Sequence, residues 1–146
     1  MPILRFPKST LGPIIEAVAA PTPEWLVELN KIGRQHPSPA SFKMLIDTGA
    51  DESALDEDLL TGMGLVYTSS GWVRTLNGTK PVRRYDVTLT LYDAQKRESW
   101  TTSSLIVVAR QQPFEGRPFH GLIGRDILDQ AVLTCDGPGH KCSLEL

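Results

Sequence analysis

The segment Lys43-Met44-Leu45-Ile46-Asp47-Thr48-Gly49-Ala50-Asp51-Glu52-Ser53 is where this sequence gathers groups that could do chemistry. An apolar run ends in a carboxylate that is followed at once by a hydroxyl and a glycine. Leaving water costs an ionised carboxylate heavily unless it is paired or hydrogen bonded. Asp47 at the mouth of a buried strand is therefore either part of a structural network or an acid tuned for a task. Gly49 lets a backbone N–H or a ligand come close, and the Thr48 hydroxyl both donates and accepts. Alone, an Asp-Thr-Gly triplet arises by chance too often to decide between these readings.

A second segment strengthens it. His120-Gly121-Leu122-Ile123-Gly124-Arg125-Asp126-Ile127-Leu128 holds an apolar pair between glycines and continues into an arginine and a short helical turn, with Gly124 standing 77 residues after Asp47. Leu45-Ile46-Asp47-Thr48-Gly49-Ala50-Asp51 followed by Leu122-Ile123-Gly124-Arg125-Asp126 resembles the retroviral type of aspartic protease, the retropepsins and their soluble cellular relatives. Between them, Trp72-Val73-Arg74-Thr75-Leu76-Asn77-Gly78-Thr79 reads as a hairpin turning at Asn77-Gly78. Val82-Arg83-Arg84-Tyr85-Asp86-Val87 resembles the strand that descends from the retropepsin flap. The three motifs keep the family's order and span residues 42–146.

The resemblance implies a mainly β, retropepsin-like acid protease fold with a small inserted helix, a single lobe that dimerises. By the same match Asp47 is the catalytic carboxylate, Thr48 braces two active-site loops against each other, and Gly49 offers backbone hydrogen bonding to a peptide. Ala50, Asp51 and Glu52 fall where substrate is contacted. Leu76, Asn77 and Gly78 would form the flap tip, less glycine-rich than the viral one. The loop 110–119 would border a pocket, with Phe114 or Phe119 as its wall. Gly124, Arg125 and Asp126 are structural support, Arg125 pairing with Asp51 through its planar fork. If that site is dry, leaving Asp51 unpaired would cost about 3 kcal/mol.

Aspartic protease chemistry needs two carboxylates sharing one proton, one to activate a water and one to polarise the scissile carbonyl. This chain holds one Asp-Thr-Gly, since Asp136-Gly137-Pro138 reads as a turn. The second carboxylate must then come from an identical chain across a two-fold axis. The expected partners are a second copy and a peptide or protein substrate, and the C-terminal hairpin, residues 131–146, is the implied interface. No cofactor and no metal are called for. The rival reading is a dimeric binding or scaffold module that keeps the fold and has lost cleavage.

Elements must hold these groups in place. Eleven Pro and 12 Gly interrupt segments rich in Val, Ile, Thr and Tyr, a mainly β pattern. Strands are expected at 13–19, 42–46, 71–76, 82–92, 100–109, 131–134 and 143–146. Thr22-Pro23-Glu24 opens a helix whose Trp25, Leu26, Leu29 and Ile32 should cover one sheet until Gly33 stops it. A second short helix is expected at 56–61, with Asp56, Glu57 and Asp58 as a solvated acidic first turn. Glu52 is open between simple exposure and a pocket acid that would favour a basic or hydrogen-bonding substrate side chain. Arg83 and Arg84 read as exposed residues on opposite faces of a strand.

The chain's 146 residues, 40% apolar and 22% charged, suit one globular domain, 1–146. The longest apolar run, Leu105 to Ala109, is far short of a membrane span, and the first residues lack a signal peptide's apolar core. A cytoplasmic, soluble protein without membrane contact is therefore expected. Fifteen basic against 17 acidic side chains, with positive charge nowhere concentrated, argue against a nucleic-acid partner. Cys135 and Cys142 stand equidistant from the Pro138-Gly139 turn, a spacing that sets them facing each other across a hairpin, and are expected to be two thiols in a reducing compartment. His36, His120 and His140 are scattered, and His120 reads as a loop residue near the site.

Overall fold

Alternation in residues 85–91 dictates the centre of the molecule. Tyr85, Val87, Leu89 and Leu91 are each at most 2% exposed while the residues between them are partly exposed, the period-two signature of a strand with one face in a core. The computed structural model, which describes residues 1–111 and 114–146, places them in a strand of 15 residues, Gly78–Tyr92.

In chain order the elements are β1 (Ile3–Ser9), β2 (Gly12–Ala20), α1 (Pro23–Lys31), β3 (Ala40–Ile46), β4 (Ala54–Asp56), α2 (Glu57–Gly62) and β5 (Ser69–Thr75). There follow β6 (Gly78–Tyr92), β7 (Ser99–Arg110), β8 (Gly121–Ile123), α3 (Arg125–Leu128), β9 (Val132–Asp136) and β10 (Lys141–Glu145). The sheet runs β5-β6-β7-β4-β8-β3-β2-β1-β10-β9, and an added β6–β2 pairing closes its middle into a barrel. One long strand achieves this. The first half of β6 pairs with β5 as a hairpin, its second half pairs with β2, and β7 follows both halves past an irregularity between Val87 and Leu89. Ala17 and Ala19 of β2 oppose Leu91 and Leu89 of β6, so small side chains meet large ones where the barrel shuts. Phe42, Met44 and Ile46 of β3 and Ile15 of β2 fill the same core, each contributing about 1.5–3 kcal/mol by burial.

The expected strands are all present, with ends that differ by a few residues, and three further strands join them: β1, β4 and β8. The first helix opens as expected, Thr22 accepting from the Trp25 N–H at 3.3 Å. Its apolar stripe covers less than expected, because Leu29 is buried whereas Ile32 is 63% exposed. The acidic turn of α2 needs a correction. Asp56 caps the helix through the Asp58 N–H, but Glu57 is buried, not solvated. The expectation of two thiols is also corrected: Cys135 and Cys142 face each other across the β9–β10 hairpin, with Cα atoms 4.2 Å apart, and are joined as a disulfide. Among the described residues no helix is long and apolar enough to cross a membrane.

Candidate active site

Asp47 follows directly on β3, where the chain leaves the barrel. β3 and β8 pair in parallel, Leu45 beside Leu122 and Ile46 beside Ile123, and the Asp47 N–H donates to the Ile123 carbonyl at 2.9 Å. This pairing brings the two segments singled out above together. Asp47 is half-buried, and its Oδ1 accepts from the Gly49 N–H at 2.9 Å. The Ala50 N–H closes the turn on the Asp47 carbonyl at 3.2 Å. Thr48, Gly49 and Asp51 are exposed.

The loop's far side is fixed by Gly124. A Cβ there would stand 2.7–2.9 Å from backbone atoms of Ala50 and Glu52, closer than real contacts allow, so glycine is the residue that fits. The Arg125 N–H then donates to the Ala50 carbonyl at 2.8 Å. Arg125 also pairs with Asp51 as expected. The expected burial of that pair is not found in the single chain: the Asp51 side chain is 80% exposed and that of Arg125 48%. At that exposure the pair stabilises the chain by less than about 1 kcal/mol. Asp126, in the first turn of α3, accepts from the Ile127 N–H at 2.9 Å and holds Ser53, a buried residue that the sequence reading passed over.

Glu52 is not simply exposed. Its two carboxylate oxygens accept from Arg84 Nε at 3.1 Å and Nη2 at 3.0 Å, a bidentate pair with an arginine side chain only 21% exposed. The hydrogen bond to Glu52 is the main cause that pushes the Arg84 pKa further up. Arg84 is therefore not a free surface cation. Arg83, on the opposite side of the strand, lies over the Tyr67 ring at 4.9 Å and approaches Glu57 at 4.0 Å. Glu57 accepts from the buried Tyr85 hydroxyl at 3.1 Å and from Gln111 at 3.4 Å. Burial first, and then this bond, raise the Tyr85 pKa.

The β5–β6 hairpin turns at Leu76-Asn77, one residue earlier than expected, with Gly78 already paired to Thr75 at a φ of +103°. Leu76, Asn77 and Gly78 do form its tip, and Leu76 stands fully in solvent. Phe114 and Phe119 are both buried and pack edge to face at 5.5 Å, so within this chain neither is an open pocket wall. Gln112 and Pro113 of that loop lie outside the described residues. His120 approaches Asp56 at 3.9 Å and spaces β3 from β4 through its backbone, accepting from Asp56 and donating to Lys43. A groove of about 710 Å³ between β1, β10 and the β6–β7 turn does not include Asp47.

A closed barrel with an acid at the end of an inner strand, framed by a second apolar strand and a glycine, defines an acid protease fold. Residues 38–127 match the aspartyl protease family, and the chain belongs to it. A retropepsin-like aspartic protease from Rickettsia conorii has the same fold, with a TM-score of 0.58 over 97% of this chain and 89% of that one at 14% identity. No curated protein matches the sequence.

Proposed function

We propose that this chain is an aspartic endopeptidase that cleaves peptide bonds as a homodimer, with Asp47 of each copy forming the catalytic pair. The observation that carries this reading is the setting of Asp47. Its carboxylate is held by Gly49 in a loop pinned to β8 and Gly124, yet the residues around it open to solvent. A single acid there lacks the neighbour that would share its proton, and a two-fold axis beside the exposed Thr48 and Gly49 supplies one. One Asp47 then takes a proton from the attacking water while the other, protonated, donates to the scissile carbonyl oxygen. Collapse of the tetrahedral intermediate returns a proton to the leaving nitrogen.

The remaining roles follow. Thr48 braces the two loops, Gly49, Ala50 and Asp51 line the peptide's path, and the Leu76-Asn77-Gly78 tip closes over it. Arg125 and Asp126 hold the loop from behind. β9, the last strand of the sheet, has an unpaired edge with Val132 60% exposed, which suits continuation into a partner's strands.

The test is a mixed peptide library incubated with the protein and with Asp47→Asn, with mass measured by light scattering in parallel. Cleavage by a dimer that the Asn variant abolishes supports the reading. Cleavage by a strict monomer, or unchanged turnover in Asp47→Asn, overturns it. A dimer of native fold that cuts nothing favours the scaffold alternative.

A further inference from the structure

We infer that the Glu52–Arg84 pair sets the charge preference of the peptide cleft, disfavouring basic side chains beside it and favouring acidic ones. This deepens the protease reading and rests on it.

Glu52 is five residues from Asp47 on the same loop, and Arg84 lies at the root of the β5–β6 hairpin, opposite Ser69. The guanidinium thus bridges the loop and the hairpin. The loop does not need this clasp to keep its shape. Gly49, Ala50, Gly124, Arg125 and the Ser53–Asp126 bonds already fix it by contacts that bypass Arg84. What the clasp changes is charge. An acid that would otherwise attract Lys or Arg is occupied on both oxygens, just as Asp51 is occupied by Arg125.

Two further observations agree. The register Gly71 to Val82 and Val73 to Lys80 puts Lys80 and Val82 on the same hairpin face as Arg84, so the cation exposed on that face is Lys80. Gly71 also makes room for the fork: a Cβ there would stand 2.6 Å from Arg84 Nη1. With both acids neutralised and Lys80 added, the wall is positive in balance and complements Asp or Glu side chains.

The experiment profiles cleavage of an unbiased peptide mixture by the dimer and three variants, read by mass spectrometry. The wild type should cut peptides depleted in Lys and Arg at one position near the scissile bond and enriched there in Asp and Glu. Arg84→Gln frees the Glu52 carboxylate and should raise cutting of the basic peptides relative to acidic ones about five-fold. Glu52→Gln frees the guanidinium and should move the profile the opposite way. Gly71→Ala, which changes no charge, should displace the fork and free both groups, giving a profile between those of Arg84→Gln and Glu52→Gln. Opposite shifts from the two halves of one pair are not produced by misfolding, and if Arg84→Gln does not fold, the shift of Glu52→Gln relative to wild type decides. A wild type that cuts basic peptides as readily as acidic ones, or variants that slow all peptides with an unchanged profile, overturn this inference and leave the protease reading standing. A mixture left uncut by the wild type overturns both.

Discussion

Asp126 receives both polar hydrogens of Ser53, the N–H on Oδ2 at 2.9 Å and the O–H on Oδ1 at 2.7 Å, across 73 residues of sequence. The same hydroxyl oxygen accepts from the Gly124 N–H at 3.0 Å. Ser53 is fully buried and Gly124 is buried, so their polar hydrogens depend on this network for hydrogen bonding. Ser53→Ala leaves the Gly124 N–H buried without a partner and should destabilise the chain by about 1–3 kcal/mol. Chemical denaturation checks this, and an unchanged midpoint contradicts it.

Gly124→Ala presses a methyl group into the backbone of Glu52 and Ala50, which cannot retreat without moving the Asp47 loop. The expected cost is about 1–3 kcal/mol, accompanied by loss of cleavage. Retained activity at wild-type stability would show that the loop yields there.

Arg125→Lys should leave the unfolding free energy of the isolated chain within about 1 kcal/mol of wild type, because the Asp51 pair is solvent exposed. In the proposed dimer the pair is expected to lie nearer the partner, so the dissociation constant should rise several-fold as activity falls. Lys96→Ala, which removes an exposed pair with Glu16 at 3.7 Å, should change neither. Sedimentation of the three proteins over a dilution series separates these outcomes.

Tyr85 keeps its proton above the ordinary tyrosine range because its phenol is buried on Glu57. The unfolded chain releases that proton first, at about pH 10. The stabilisation from this group is therefore complete below that pH and lost as pH rises through the folded value. The ultraviolet difference between wild type and Tyr85→Phe should show its tyrosinate signal only above pH 10, together with alkaline softening of the wild type. A signal at or below the ordinary range would mean the phenol is solvated.

Cleavage should rise as pH falls below neutrality, pass through a maximum and drop in strong acid, since a shared-proton pair works with one proton and with neither zero nor two. Rate profiles on one good substrate test this. A flat profile from pH 5 to 9, or inhibition by metal chelators, would point to other chemistry.

Asp47 at a strand end, the cap of α1 at Thr22, the hairpin around Asn77 and the strand over 82–92 were all legible before any fold was known. Each is a local property, legible because a strand's faces repeat every two residues and because capping and turn residues act on their neighbours. Three strands were not legible. β4 and β8 have three residues each and owe their existence to pairing with each other, with β3 and with β7. β1 is a strand because β10, from the other end of the chain, lies beside it. Which distant polar groups meet came from the fold, with Arg84 on Glu52, Tyr85 on Glu57 and Ser53 on Asp126, whereas the facing of Cys135 and Cys142 was legible from their spacing about the turn and only their bonding was not. The physical reason is that a charge in sequence has no address. Glu52 and Glu57 belong to one acidic run, and what removes both from simple exposure is the neighbouring strand that barrel closure lays across them, with Arg83, Arg84 and Tyr85 facing alternately to its two sides.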